Sequence, residues 1–153
     1  MGRARVGKRT MPATVAASAL AVACISLAPR TSEAQYGRDR VASRVVELAE
    51  RDARGATLVG EVESGRLSQG EAAARAYRLS GGTCYWFIAA GDGNVHDIDL
   101  LVRARGVTVA RDQSSSREAV VPGERPYCPA EDQRVQARVV AFRGGGVYAV
   151  GVY

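Results

Sequence analysis

The chain has one histidine (His96), one lysine (Lys8), one tryptophan (Trp86) and two phenylalanines. Structural zinc takes four nitrogen or sulfur ligands, so a lone imidazole argues against that metal. A Ser-His-Asp device would have to use His96 as its base, with a serine such as Ser114, Ser115 or Ser116 as nucleophile. No G-x-S-x-G elbow supports it, and SSSRE reads as a polar loop. Long apolar runs are missing as well. The best, MPATVAASALAVACISLA, is Ala-rich and ends at Pro29 and Arg30, whereas a membrane-spanning helix wants about 20 strongly apolar residues. No internal period of 20–50 residues is present.

That Ala- and Val-rich run follows a basic start carrying Arg3, Arg5, Lys8 and Arg9, and precedes SEA at 32–34. This is the order of a secretory leader, with cleavage expected before Gln35. Lys8-Arg9 is not a twin-arginine pair, so Sec export to the periplasm or beyond is expected. AVAC, ending at Cys24, resembles a lipoprotein box. Ala21 stands where Leu is usual and apolar residues continue past Cys24, so it is read as part of the leader. Residues 1–34 hold five basic groups and Glu33, so nearly all of the formal +5 charge leaves with the leader. The apparent pI of 9.5 therefore reflects export, not nucleic-acid binding. No basic run with interleaved aromatics follows, and no nucleic-acid partner is expected.

The remainder is the size of one domain, small enough to profit from a covalent staple. It retains Cys84 and Cys128, and an even pair in an oxidising compartment reads as a disulfide. Residues 38–54, RDRVASRVVELAERDAR, place Val41, Val45 and Leu48 at helical spacing opposite a charged face, with Gly55 as the stop. The stripe is narrow and calls for a cover, either the chain's own core or a partner. After Gly55 the period falls to two. LVGEVESGRL alternates, SQGE turns, and AARAYRL leads through Gly81-Gly82 to CYWFIAAG, a hairpin signal. DIDLLVRA, a turn at Arg105-Gly106, VTVA, AVVP and the closing VQARVVAFRGGGVYAVGVY add further strands. Short strands at this spacing predict an all-β antiparallel sandwich of about 7–8 strands. The expected divisions are 1–34 leader, 35–56 helix and linker, and 57–153 sandwich.

Residues 59–153 resemble the bacterial pre-peptidase C-terminal domain, a jelly-roll-like sandwich attached to many secreted proteases. The likeness rests on the opening GEVESGRLSQGE, on Ala76-Tyr77-Arg78-Leu79, and on Cys84-Tyr85-Trp86-Phe87. It continues with Asp97-Ile98-Asp99-Leu100, with Gly106 and Val109-Ala110-Arg111-Asp112, and with V-x-A-x-x-G-G-G-x-Y over 139–148. It implies a domain without catalytic residues, serving in secretion, in attachment to carbohydrate or protein, or as a spacer. Some such domains bind calcium. The sequence departs from the usual pattern in showing a leader and one helix, and no peptidase, ahead of the sandwich, which puts a role as protease appendage in doubt.

The densest chemistry lies in 84–102, CYWFIAAGDGNVHDIDLLV. Its first half has apolar residues on both faces, as in a central strand covered on two sides. GDGN is turn chemistry, which gives Asp92 a structural task. Asp97 and Asp99 share a strand face, and with Asp112 they form a candidate calcium set, since hard cations take several oxygens. The competing reading is plain surface carboxylates, for the spacing is not that of an EF-hand. A two-carboxylate glycosidase is disfavoured, because a small sandwich leaves little room for a deep cleft. Tyr77, Tyr85, Trp86, Phe87, Phe142, Tyr148 and Tyr153 are candidates for a sugar-stacking platform, although strand aromatics are more often core. The expectation is an exported noncatalytic binding or envelope-associated module. Its rivals are an interaction protein docking a partner through the helix, and a hydrolase using His96 and nearby acids.

Overall fold

The computed structural model describes residues 32–112 and 114–153. The expected leader, Cys24 included, lies outside the described residues except for its last three positions. A helix, α1 (Ser32–Asp52), precedes eight strands: β1 (Glu63–Leu67), β2 (Ala72–Leu79), β3 (Phe87–Gly91), β4 (Val95–Ala104), β5 (Val107–Arg111), β6 (Glu118–Val121), β7 (Gln133–Gly144) and β8 (Gly146–Val152). The strands form two four-stranded antiparallel sheets, ordered β1-β8-β3-β6 and β2-β7-β4-β5. The molecule is mostly β, a sandwich with one N-terminal helix.

Alternation decides what each strand buries. On β7, Val135, Ala137, Val139 and Ala141 are buried while Arg134, Gln136 and Arg138 are exposed, the period of two expected of a half-covered strand. The inward set meets Ile98, Leu100 and Val102 of β4 and, from the facing sheet, Phe87, Ala89 and Val150. Central strands of the first sheet have no polar face. Phe87 and Ala89 enter the inter-sheet core, whereas Ile88 and Ala90 join a second core with Val147, Ala149 and Tyr153. That second core is closed by α1 through Val41, Val45, Leu48 and Ala49, which recur at helical spacing. Arg44 fastens the helix laterally, its Nε donating to Glu118 Oε1 at 2.8 Å and its Nη1 to Glu47 Oε2 at 2.6 Å. The apolar stripe of the helix thus meets the chain's own sheet.

Several local expectations are corrected. The helix begins at Ser32 rather than at Arg38, because its first turns carry no apolar face for periodicity to reveal. Gln35 Nε2 donates to Asp39 Oδ1 one turn on, at 3.0 Å, and burial starts only at Val41. β2 and β3 are not a hairpin. They lie in different sheets, and the Gly81-Gly82 segment crosses between them. Gly81 packs so closely on residues 130–131 that a Cβ would lie 2.7 Å from Glu131 Cα, while Gly82 N donates to Pro129 O. Gly81 permits backbone docking and Gly82, at φ 75°, completes a tight turn in which Thr83 N donates to Ser80 O at 3.4 Å; the turn leads into the other sheet rather than to a paired neighbour. The 144–146 glycines likewise turn a corner between sheets. The one consecutive pair of described strands that shares a sheet is β4-β5. It turns at Arg105 and Gly106, both at positive φ (50° and 81°), as a two-residue primed turn requires.

Cys84 and Cys128 are joined, as expected. Tyr85 and Tyr127 exchange both backbone hydrogen bonds, at 2.8 and 2.9 Å. The neighbouring cysteines therefore face each other at a non-hydrogen-bonded position, where antiparallel strands approach most closely; their Cα atoms are 4.1 Å apart. Trp86 extends the segment by exchanging backbone hydrogen bonds with Tyr153.

Candidate functional site

The two outer faces of the sandwich are unlike. The first sheet is roofed by α1, and the second is open. On the open face, β4 presents Asp97, Asp99, Leu101 and Arg103, and β7 presents Phe142, Val140, Arg138, Gln136 and Arg134. Register converts these alternating residues into rows across the sheet. Ala72, Val140 and Asp99 form one row; Ala74, Arg138, Leu101 and Arg111 form the next. Ala76, Gln136 and Arg103 follow, and then Arg78 opposite Arg134. The face gathers its aspartates at one end, where Arg111 and Arg138 lie among them, and is cationic at the other.

The acidic end is a depression of about 540 Å³ lined by Asp97, Asp99 and Asp112 together with Arg111, Arg138 and Phe142. All three candidate calcium ligands therefore meet at one place. A register shift on either side of Asp97 marks an irregularity in the β4-β7 ladder at this point. Asp97 is only 5% exposed, and its Oδ1 is buried without a hydrogen-bond partner. Asp99 is half-exposed, and its carboxyl is pushed above the usual range, first by desolvation and then by the charges of Asp97 and Asp112; Arg111 works the other way. Asp112 accepts from Ser114 Oγ at 3.0 and 3.1 Å, and its backbone N donates to Leu100 O. Among the described residues, no three acidic, His or Cys side chains converge tightly enough to hold a metal ion as they stand. The aspartates share a depression but not a coordination shell.

The other candidates are separated. His96 is exposed at the start of β4 and does not line the depression, although Ser114 and Ser115 do. Ser116 is occupied by the neighbouring backbone, its Oγ accepting from Glu118 N and its carbonyl from Ile98 N. Asp92 has the turn task expected of it: Oδ1 accepts from Asn94 N and Oδ2 from Val147 N, each at 2.9 Å. Of the aromatics considered for a sugar platform, Phe142 alone is exposed, at 62%. Trp86 packs in the helix-sheet core, and Tyr77 meets Phe87 edge to face at 6.5 Å. No platform forms from that set.

The cationic end was not anticipated from the sequence. A depression of about 460 Å³ lies there between Arg103, Arg105 and Arg134, with Gln136 and Ala76 at its side. Arg103 and Arg134 are visible in the sequence as polar alternates of strands, and Arg105 as a turn residue. What the sequence lacks is any local sign that residues 78, 103 and 134 lie on neighbouring strands.

No protein-family model matches the chain, and no curated protein matches it significantly.

Proposed function

We propose that this chain is an exported, noncatalytic β-sandwich whose open sheet face carries a binding or envelope-associated role. One observation carries the reading: α1 seals one outer face, while the opposite face is left uncovered, with Asp97, Asp99 and Asp112 sorted to one end and arginines running along it. A purely structural spacer has no need of such sorting. Export is supported by the leader pattern and by the disulfide, which an oxidising compartment maintains. The sheet orders β1-β8-β3-β6 and β2-β7-β4-β5 support reading the sandwich as a jelly roll of eight strands. They thereby support the likeness to the pre-peptidase C-terminal domain. Docking of a partner through the helix has less to recommend it, since Val41, Val45 and Leu48 are already covered. A hydrolase built on His96 has no support from the lining of the depression.

The test is sedimentation of the secreted chain with intact cell envelopes and with insoluble wall polysaccharide. Co-sedimentation without release of sugar or peptide is expected. A chain that remains in the supernatant with both refutes the reading, as does hydrolysis that is lost in His96→Ala.

A calcium-supported version is favoured by the unpartnered Asp97 Oδ1, which has no proton donor to meet it. Binding would require Asp99 and Asp112 to draw inward. Calorimetric titration with Ca²⁺ tests this: heat lost in Asp97→Asn supports the site, and absence of heat in the parent chain removes it.

A further inference from the structure

We infer that the arginine rows of the open face bind a linear polyanion, an acidic polysaccharide bearing carboxylate, sulfate or phosphate groups. The inference rests on the open face being the binding face and names its ligand class. Its first support is a cost built into the fold. Arg78 and Arg134 are direct cross-strand partners, an arrangement that destabilises a sheet when the charges are alike. Arg138 lies two rows away and Arg103 between them. Among the described residues none of these four side chains forms an ion pair; Arg103 donates only to Gly106 O, at 2.8 Å. Arg44, Arg51, Arg75 and Arg105 are paired, whereas Arg40 and Arg117 are as unpaired as these four, so the weight falls on the cross-strand juxtaposition of Arg78 and Arg134. A bound anion would remove the repulsion, and a guanidinium fork suits a two-oxygen anion.

The surroundings shape a track. On β2 the outward positions beside the arginines are Ala74 and Ala76, so nothing tall separates the guanidinium groups from a ligand lying across the strands. Gln136 adds a neutral hydrogen-bonding group within the track. Acids stand at its margins. Glu131 pairs with Arg105 at 3.1 Å, and Asp132 lies beside Arg78 and Arg134 while its Oδ1 accepts from Gly81 N. Beyond Arg138, Asp97, Asp99 and Asp112 share its depression and disfavour an anion there, so the row of Arg78 and Arg134 and the row of Arg103 form the stronger part of the track. Single-stranded nucleic acid is the poorer fit because it needs stacking surfaces, and the exposed aromatic of this face, Phe142, stands at the acidic end. A lipid surface is also poorer, since among the described residues Val107 is the one large apolar side chain strongly exposed near the track.

The experiment compares the secreted chain with the triple variant Arg78→Gln/Arg134→Gln/Arg138→Gln and the single variant Arg134→Gln. A control, Arg40→Gln/Arg117→Gln, alters the groove beside α1 instead. Probes are dextran sulfate, neutral dextran, insoluble wall polysaccharide, and vesicles of phosphatidylcholine with phosphatidylglycerol. The parent chain should bind dextran sulfate with an affinity that falls as salt rises. The triple variant, with an unchanged melting temperature, should bind about tenfold or more weakly, and its salt dependence should flatten; the single variant should lie between. Equal binding by parent and triple variant, loss in the control pair, or binding to vesicles alone overturns the inference. If the parent and triple variant both hold wall polysaccharide equally, the binding-module reading stands while the polyanion inference falls. If nothing is bound, both fall.

Discussion

Cys84 and Cys128 sit at a close, non-hydrogen-bonded position beside the Tyr85-Tyr127 bridge, tying the crossing before β3 to the segment before β7. They are separated by 44 residues, which in the chain-entropy model corresponds to about 4 kcal/mol of stabilisation through the unfolded state. Cys84→Ser/Cys128→Ser should therefore lower the urea midpoint by an amount equivalent to about 3–4 kcal/mol. An unchanged midpoint would contradict this account. Asp99 acts in the opposite direction. Its folded pKa is raised, so the folded chain holds the proton more tightly than the unfolded one. Stability from this group is present below the ordinary Asp range and is lost as pH rises through the folded value. Asp99→Asn should accordingly raise the melting temperature at neutral pH and leave it nearly unchanged in strong acid. A lower melting temperature at neutral pH would show that the charged carboxylate has a partner. The sequence located the three aspartates, but not the order of causes acting on Asp99, because Asp112 reaches it only through the β4-β5 pairing.

At the scale of elements, α1 is held by packing more than by propensity. Its buried residues Val41, Val45 and Leu48 face Ile88 and Ala90 of β3 and Val147 and Ala149 of β8. The spacing of the stripe was legible, and so was the two-sided burial of β3, because both depend only on local periodicity. Val45 is fully buried, and Val45→Asp places an unpaired carboxylate there. The helix should undock, with a loss of several kcal/mol, detected as accelerated amide exchange across residues 41–53. Protection equal to that of the parent chain would refute the packing account. The turn at Arg105-Gly106 was also legible from Gly106, whereas the positive φ of Arg105, which a residue with a long side chain seldom adopts, was not. The Gly81-Gly82 crossing was not. A tight turn does form from Ser80 to Thr83, but turn residues do not tell whether the next strand pairs with the last or enters the facing sheet, and the approach of Gly81 to residues 130–131 is set by that crossing.

Over the whole molecule, three layers share two cores, helix on sheet and sheet on sheet. The helix is a wall of the fold rather than an appendage. A chain shortened to 57–153 would leave Ile88, Ala90, Val147 and Ala149 facing water. It should associate or precipitate, visible by sedimentation velocity, while the 35–153 chain stays monodisperse, since burial in α1 begins at Val41. A monomeric, fully stable 57–153 would contradict the three-layer account. With one face closed in this way, the open face is the one on which the proposed ligand would lie.

The sequence by itself determined the period of each segment, hence which residues point inward, the class of the fold, and the two cysteines available for pairing. It also placed Asp97 and Asp99 on one strand face. The tertiary structure alone decided which strands are neighbours, and with that the gathering of Asp112 beside Asp99 and of Arg78 beside Arg134. The physical reason is that inward and outward are set by a strand's own alternation, whereas adjacency is settled by how whole apolar faces pack across long stretches of chain.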